Sequence, residues 1–299
     1  MGYDRYSVED RTARAFSSGY ATKSVDEIFK QNRVAQIHAD MDPRNVSKRE
    51  ACDSPQHPNT VPIQLYLDVT GSMGKVPHYM IKDGLPTLIG KLIQDGVPDV
   101  TLLMGAIGDH ECDKAPLQVG QFESGDKALD MWLERIWLEG MGGGNAGESY
   151  LLAWYFAAHH VHTDAFSKRG EKGFLFTVGD EPFLNSIPLS ALKTIMGENA
   201  IVQADADGVI SAKTLYSEAQ KQNCIFHIHV KHDHRQDGPA SCWSDLLGQN
   251  LLVTSNYSEI PNIISRTVLS HLLSIKDPTS IKDPASDKLP PDTKPTTML

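Results

Sequence analysis

Cysteine is scarce in this chain of 299 residues: there are four, Cys52, Cys112, Cys224 and Cys242, and no two are close in sequence. That scatter argues against a disulfide framework and against a zinc knuckle, and leaves reduced thiols. Basic residues are also in short supply, 28 Lys and Arg against 38 Asp and Glu, for a formal net charge of -10. With no concentrated basic face, a nucleic-acid partner is disfavoured. No apolar run is long enough to cross a membrane, and Met1-Gly2-Tyr3-Asp4-Arg5 lacks the basic patch and apolar core of a secretory signal. The expectation is a cytoplasmic protein without a membrane partner.

What is present is a substantial apolar fraction, 40% of the residues, enough to bury one large domain with extensions. The most informative stretch is Ile63-Gln64-Leu65-Tyr66-Leu67-Asp68-Val69-Thr70-Gly71-Ser72. Its first half reads as a buried parallel strand entered from Pro62, and Gly71 lets the chain turn sharply. Asp68, Thr70 and Ser72 then gather hard oxygen donors at the carboxyl end of a strand, where open α/β sheets place their ligands.

Strands are predicted again over Thr101 to Ile107, Leu117 to Phe122 (a short edge strand), Phe174 to Val178, Cys224 to Val230 and Leu251 to Val253. Helical patterns lie between them: two short helices over Tyr79–Gly84 and Leu85–Ile93 with Pro86 in the first turn of the second, then Asp126–Leu138, Ser149–His160, Ser211–Gln222 and a terminal helix from Ile260 to about Leu273. Alternation of this kind predicts an α/β fold, a doubly wound, mostly parallel central sheet with helices on both faces. Residues 1–60 read as an N-terminal arm. Residues 1 to about 22 are expected to be loosely ordered, a helix is expected over about 24–37 behind a Ser24/Glu27 capping box, and the Pro-containing segment from Asp40 to Thr60 is expected to lack regular structure. The main domain then covers 61–273. Residues 274–299 carry the repeat Ser-Ile-Lys-Asp-Pro and five prolines, a composition expected to remain disordered.

Three loops converge at one rim of such a sheet: Asp68 to Ser72, the glycine-dense Gly142-Gly143-Gly144-Asn145-Ala146-Gly147-Glu148, and Asp180 after the fourth core strand. Asp68-Val69-Thr70-Gly71-Ser72 resembles the Asp-x-Ser-x-Ser signature of von Willebrand factor type A domains, particularly the intracellular ones of bacteria and phages. Trp243-Ser244-Asp245-Leu246-Leu247-Gly248 with the strand and helix after it resembles the end of such domains, so the likeness runs from about Pro62 to Leu273. It implies a Rossmann-like fold and a metal-ion-dependent adhesion site. Thr70 and Ser72 would be direct hydroxyl ligands, Asp68 and Asp180 would act largely through water, and Asn145 would stand at the second-loop position. Gly71, Gly144, Glu148, Asp109 and Glu181 would lie in the surround or on the rim. Mg²⁺ is the implied cation, with Mn²⁺ or Ca²⁺ as variants, and hard oxygen donors with retained water suit it. The implied activity is binding, without turnover, of a protein that supplies an Asp or Glu carboxylate; an AAA+ ATPase or a multiprotein assembly is the implied setting. Two departures stand out: Thr70 replaces the usual Ser, and Asn145 replaces the usual Thr or Asp with a neutral amide oxygen.

Other readings of the same residues stay open. Asn145 with Glu148 three positions on fits a helix capping box. Asp109, His110, Glu111 and Asp113 fit either a second rim cation site or a solvated loop. His227, His229, His232 and His234 alternate in a way that fits a transition-metal site or hydrogen-bonded buried imidazoles. Asp68 also resembles the nucleophile of haloacid-dehalogenase-type phosphotransferases, with Gly179-Asp180 as their later metal loop, although no convincing lysine-bearing loop lies between the two motifs and position 70 lacks the second acid.

Overall fold

Side chains one residue apart in each central strand go to opposite faces, and here both faces are apolar. The computed structural model describes residues 6–97, 99–140, 147–201, 208–231 and 238–276. Its strands are β1 (Arg49–Ala51), β2 (Val61–Asp68), β3 (Val100–Ile107), β4 (Leu117–Glu123), β5 (Val161–Thr163), β6 (Gly173–Gly179), β7 (Ser186–Pro188), β8 (Val209–Ser211), β9 (Asn223–Val230) and β10 (Leu251–Thr254). Six of them form the central sheet in the order β10-β9-β6-β2-β3-β4. Neighbours are parallel except β3 and β4, so the short Leu117–Glu123 strand is the antiparallel edge. This is the predicted α/β, doubly wound, Rossmann-like architecture. The strand expected at Ile63 and its five partners all form, each within two residues of the expected bounds.

Ile63, Leu65 and Leu67 with Leu102, Met104, Phe174, Phe176 and Ile228 pack under Leu85, Leu88, Ile260 and Ile264 on one face. Tyr66, Leu103, Leu175 and Ile225 pack under Leu151, Trp154, Leu215 and Trp243 on the other. Each such buried side chain contributes about 1.5–3 kcal/mol relative to exposure. The helix Leu151–His159 is apolar all round because it is covered all round: every residue from Leu151 to Ala157 is buried. Gly105 is required by its β2 neighbour, since a Cβ there would lie 2.4 Å from the Tyr66 ring.

Four expectations are corrected. Residues within the first 22 form a helix, Val8–Ser18, capped by Ser7 and closed by Gly19 in the left-handed conformation. No apolar stripe announced it because the group it buries is Arg11, paired at 2.9 Å with Asp130. The helix expected over 24–37 is two short ones, Val25–Ile28 and Gln31–Val34, interrupted at Phe29 and ended by Ala35 at φ 54°, although the Ser24/Glu27 capping box is present. The Asp40 to Thr60 segment contains β1, which pairs in parallel with β5. Lys75–Tyr79, a π-helical turn Met80–Gly84 and Leu85–Gln94 form one continuous helical run instead of two helices broken at Gly84 and Pro86. The widened turn admits the proline ring, and Gly84 spares a Cβ that would sit 2.6 Å from the Met80 sulfur. The terminal helix reaches Lys276, and the repeat-bearing tail from 277 on lies outside the described residues. Among the described residues no helix is long and apolar enough to cross a membrane.

Candidate metal centre

Asp68 closes β2, and Asp180 follows β6 directly. These two strands are neighbours at the point where the strand order reverses, the place at which a doubly wound sheet opens a crevice beyond its carboxyl ends. Asp68 is completely buried and both its oxygens are engaged. Oδ1 accepts from the Thr70 backbone N–H at 2.9 Å and from the Thr70 hydroxyl at 2.6 Å, while Oδ2 accepts from the Tyr150 hydroxyl at 2.7 Å. The exposed Ser72 opens the 3₁₀ turn's way into the next helix, and its hydroxyl donates to Asp180 Oδ1 at 3.0 Å. Each hydroxyl is thus tied through its proton to a carboxylate, which leaves its lone pairs for another partner.

The remaining loops close around this pair. Gly140 N–H points to the Val69 carbonyl at 3.4 Å, and a Cβ on Gly71 would meet the Gly140 carbonyl at 3.1 Å. Beyond the glycine run, Glu148 forms a parallel bridge with Phe183, exchanging bonds with the Pro182 carbonyl (2.8 Å) and the Leu184 N–H (3.0 Å). Ser149 N–H donates to the Gly108 carbonyl at 3.2 Å, and the Ser149 hydroxyl meets both the backbone N–H and the ring Nδ1 of His110. The segments flanking residues 141–146 are therefore stapled to the loops after β2, β3 and β6. Gly144 and Asn145 themselves lie outside the described residues.

Carboxylates dominate the electrostatics. Burial pushes the Asp68 carboxyl up to about 7, against the Thr70 and Tyr150 hydrogen bonds and with a further push from the Asp180 charge. Glu148 is 5% exposed, its Oε2 has no hydrogen-bond partner, and burial together with Asp68, Asp109, Asp113 and Glu181 pushes it up to about 9. The capping-box expectation for Glu148 is overturned, because its backbone is in the bridge to Phe183 and the helix starts only at Leu151. Nor does Glu148 face solvent.

The acidic run after β3 is a solvated loop only in part: Glu111 and Cys112 are exposed, His110 and Asp113 are half-buried. Asp109 is buried and accepts from the Glu111 N–H at 3.0 Å, while Asp113 accepts from the Asp109 N–H at 2.7 Å, so both shape the turn. Among the described residues no three His, Cys, Asp or Glu side chains converge at metal-holding spacing, so neither the rim run nor His227 with His229 forms a site of that type. His227 is buried, stacked on Trp243 at 3.6 Å between ring centroids and bonded through Nδ1 to the Thr177 hydroxyl at 2.9 Å. His232 and His234 lie outside the described residues. Glu181 is half-buried, and its carbonyl accepts from the Trp243 indole N–H at 3.0 Å, which ties the Asp180 loop to the helix Gly238–Leu247.

Sequence reasoning missed Tyr150. The available signal was Gly179, a glycine that ends a strand beside a candidate acid and so marks close approach of another group. A Cβ at 179 would lie 1.7 Å from the Tyr150 hydroxyl oxygen.

No protein family and no curated protein matches the chain. Solved structures do. The pilus adhesin SpaC from Lactobacillus rhamnosus GG is 11% identical over 71% of this chain and 30% of its own, with a TM-score of 0.48. The vWF domain of the type V pili tip protein Mfa5 from Porphyromonas gingivalis is 10% identical over 71% of this chain and 96% of its own, with a TM-score of 0.46. Proximal thread matrix protein 1 from the mussel byssus, with a zinc-occupied MIDAS motif, is 10% identical over 72% of this chain and 46% of its own, with a TM-score of 0.42. This chain spans less than a third of the SpaC chain.

Proposed function

We propose that the crevice between β2 and β6 holds a divalent cation, Mg²⁺ in the first instance, and that the protein is a binding module of the von Willebrand A type. The observation that carries this reading is the pairing of two hydroxyls with two buried carboxylates, Thr70 with Asp68 and Ser72 with Asp180, on two adjacent strand ends at the switch point. The residues fit the group. All the donors are hard oxygens, buried carboxyls crowd the crevice, and burial together with neighbouring carboxylates pushes Asp68 and Glu148 up, as expected where no positive charge faces them. A bound cation supplies the missing positive charge and an electrophilic position for an incoming oxygen. Thr70 and Ser72 would be its direct ligands, Asp68 and Asp180 would orient those hydroxyls and bind its waters, and the Asn145 amide would serve as the second-loop donor.

The partner is a protein presenting an exposed Asp or Glu; the family resemblance extends this to an AAA+ ATPase or a multiprotein assembly in the cytoplasm. Binding is favoured over phosphoryl transfer because position 70 is Thr, not the second acid of a phosphatase, and no lysine-bearing loop is recognised between Asp68 and Asp180. Calorimetric titration of Mg²⁺ and Mn²⁺ into chelator-stripped protein tests the reading. Saturable binding is expected in the wild type and loss of it in Asp68→Ala and Asp180→Ala, with no hydrolysis of a phosphatase substrate. Metal-dependent turnover that Asp68→Ala abolishes would reverse the assignment.

A further inference from the structure

We infer that Tyr150 is a positioning residue of the cation site, acting through Asp68 on the ligand strength of Thr70; the inference rests on the cation reading above. The hydroxyl of Tyr150 donates to Asp68 Oδ2 at 2.7 Å, and the opposite oxygen of the same carboxylate takes the Thr70 hydroxyl proton at 2.6 Å. The three groups form one line of hydrogen bonds: phenol to carboxylate to alcohol. With its proton committed to Asp68, Thr70 can present only lone pairs to the crevice. The carboxylate plane is fixed because it is held from both sides, and a ligand orientation fixed by outer partners is what sets metal affinity in oxygen and nitrogen sites.

The structure is built to hold the phenol there. Tyr150 is completely buried, edge-on to the His227 ring at 5.1 Å and to the Trp243 ring at 5.2 Å, so its ring has one orientation. Its hydroxyl occupies the space that a side chain at 179 would fill, for a Cβ on Gly179 would lie 1.7 Å from that oxygen and 2.9 Å from Asp68 Oδ2. The glycine next to Asp180 is thus the counterpart of the tyrosine, and the two together let a residue from the helix side reach the end of β2.

Tyr155 supplies the internal control. It lies on the helix that Tyr150 precedes, is equally buried, and its hydroxyl accepts from the Ile201 backbone N–H at 2.7 Å and donates to the Ile201 carbonyl at 3.1 Å, with His160 Nε2 at 3.3 Å. Full-length wild type, Tyr150→Phe, Gly179→Ala and Tyr155→Phe are titrated with Mn²⁺, free Mn²⁺ being read by its electron paramagnetic resonance signal, and each variant is melted without metal. Tyr150→Phe and Gly179→Ala are expected to weaken Mn²⁺ binding by about 10–100-fold, whereas Tyr155→Phe stays within about twofold of wild type. All three are expected to lower the melting temperature of the metal-free protein. A Tyr150→Phe protein that binds Mn²⁺ as tightly as wild type, or a Tyr155→Phe protein weakened to the same extent, overturns the role of Tyr150 while the cation site stands. Absence of Mn²⁺ binding in the wild type overturns both.

Discussion

Removing Arg11 should cost far more than an exposed N-terminal helix would lead one to expect. Its side chain is completely buried, its Nε is 2.9 Å from Asp130 Oδ1, its guanidinium also reaches the Ile81 carbonyl, and it lies 5.3 Å over the Tyr20 ring. Asp130 is itself almost wholly buried and retains one other partner, Arg14 Nε at 3.1 Å. Truncating one member of a buried pair costs about 3–5 kcal/mol because the other is left as an uncompensated charge. The surviving Arg14 contact places Arg11→Ala near the lower end, about 3 kcal/mol. At about 2–4 °C per kcal/mol for a domain of this size, the melting temperature should fall by about 6–12 °C. The assay is urea unfolding at pH 8, where Asp130 is ionised even though burial pushes its carboxyl up to about 6. Asp130→Leu combined with Arg11→Met should recover most of the loss, since a well-packed apolar pair replaces a buried ion pair at little or no cost. A loss below about 1 kcal/mol for Arg11→Ala, the range of a surface ion pair, would refute the reasoning and make the Val8–Ser18 helix a detachable appendage.

Three further outcomes are expected. His227 is held neutral, well below its ordinary 6.5, by burial and by the nearby His229, so below that pH the unfolded chain takes a proton that the folded one refuses. Its contribution is therefore intact above pH 6.5 and lost on acidification: between pH 6.5 and 5.5 the wild type should lose about 1 kcal/mol more stability than His227→Gln, and parallel pH–stability curves would contradict this. Saturating Mg²⁺ at about 100 times its Kd should stabilise the protein by about 2.7 kcal/mol, a rise in melting temperature of about 5–11 °C that Asp180→Ala abolishes; an equal rise in both would place the ion elsewhere. Gly105→Ala should cost about 1–3 kcal/mol by overpacking against Tyr66, read from its urea midpoint, and a neutral result would mean that the ring can move aside.

Unlike the short β1, β5, β7 and β8, the six strands of the central sheet were legible, because both constraints on them are local, the apolar run and the turn residues that bound it. So was the crevice, since Asp68, Thr70, Ser72 and Asp180 sit at predicted strand ends. The Val8–Ser18 helix was not, because its one buried residue is an arginine whose partner Asp130 lies far along the chain. Pro86 suggested a break where the chain widens one turn instead, a choice that depends on Gly84 and Met80 packing and not on the proline alone. Glu148 looked like a helix cap since the spacing to Asn145 fits one, but the bridge to Phe183 is tertiary and leaves no trace in local sequence. Tyr150 was silent for the same reason: its meaning lies in Asp68 and Gly179, which are distant in sequence.

The central sheet joins two halves, β4-β3-β2 and β6-β9-β10, along a single seam in which Ile63 to Leu67 pair with Phe174 to Val178. The Ser72–Asp180 bond lies across that seam at its open end, with Thr70 and Asp68 on one bank and Asp180 on the other. The ion proposed for that place would be a rivet between the halves. A load applied through the proposed partner would be passed to both banks at once, as tension shared by β2 and β6, the two strands most deeply set in the sheet.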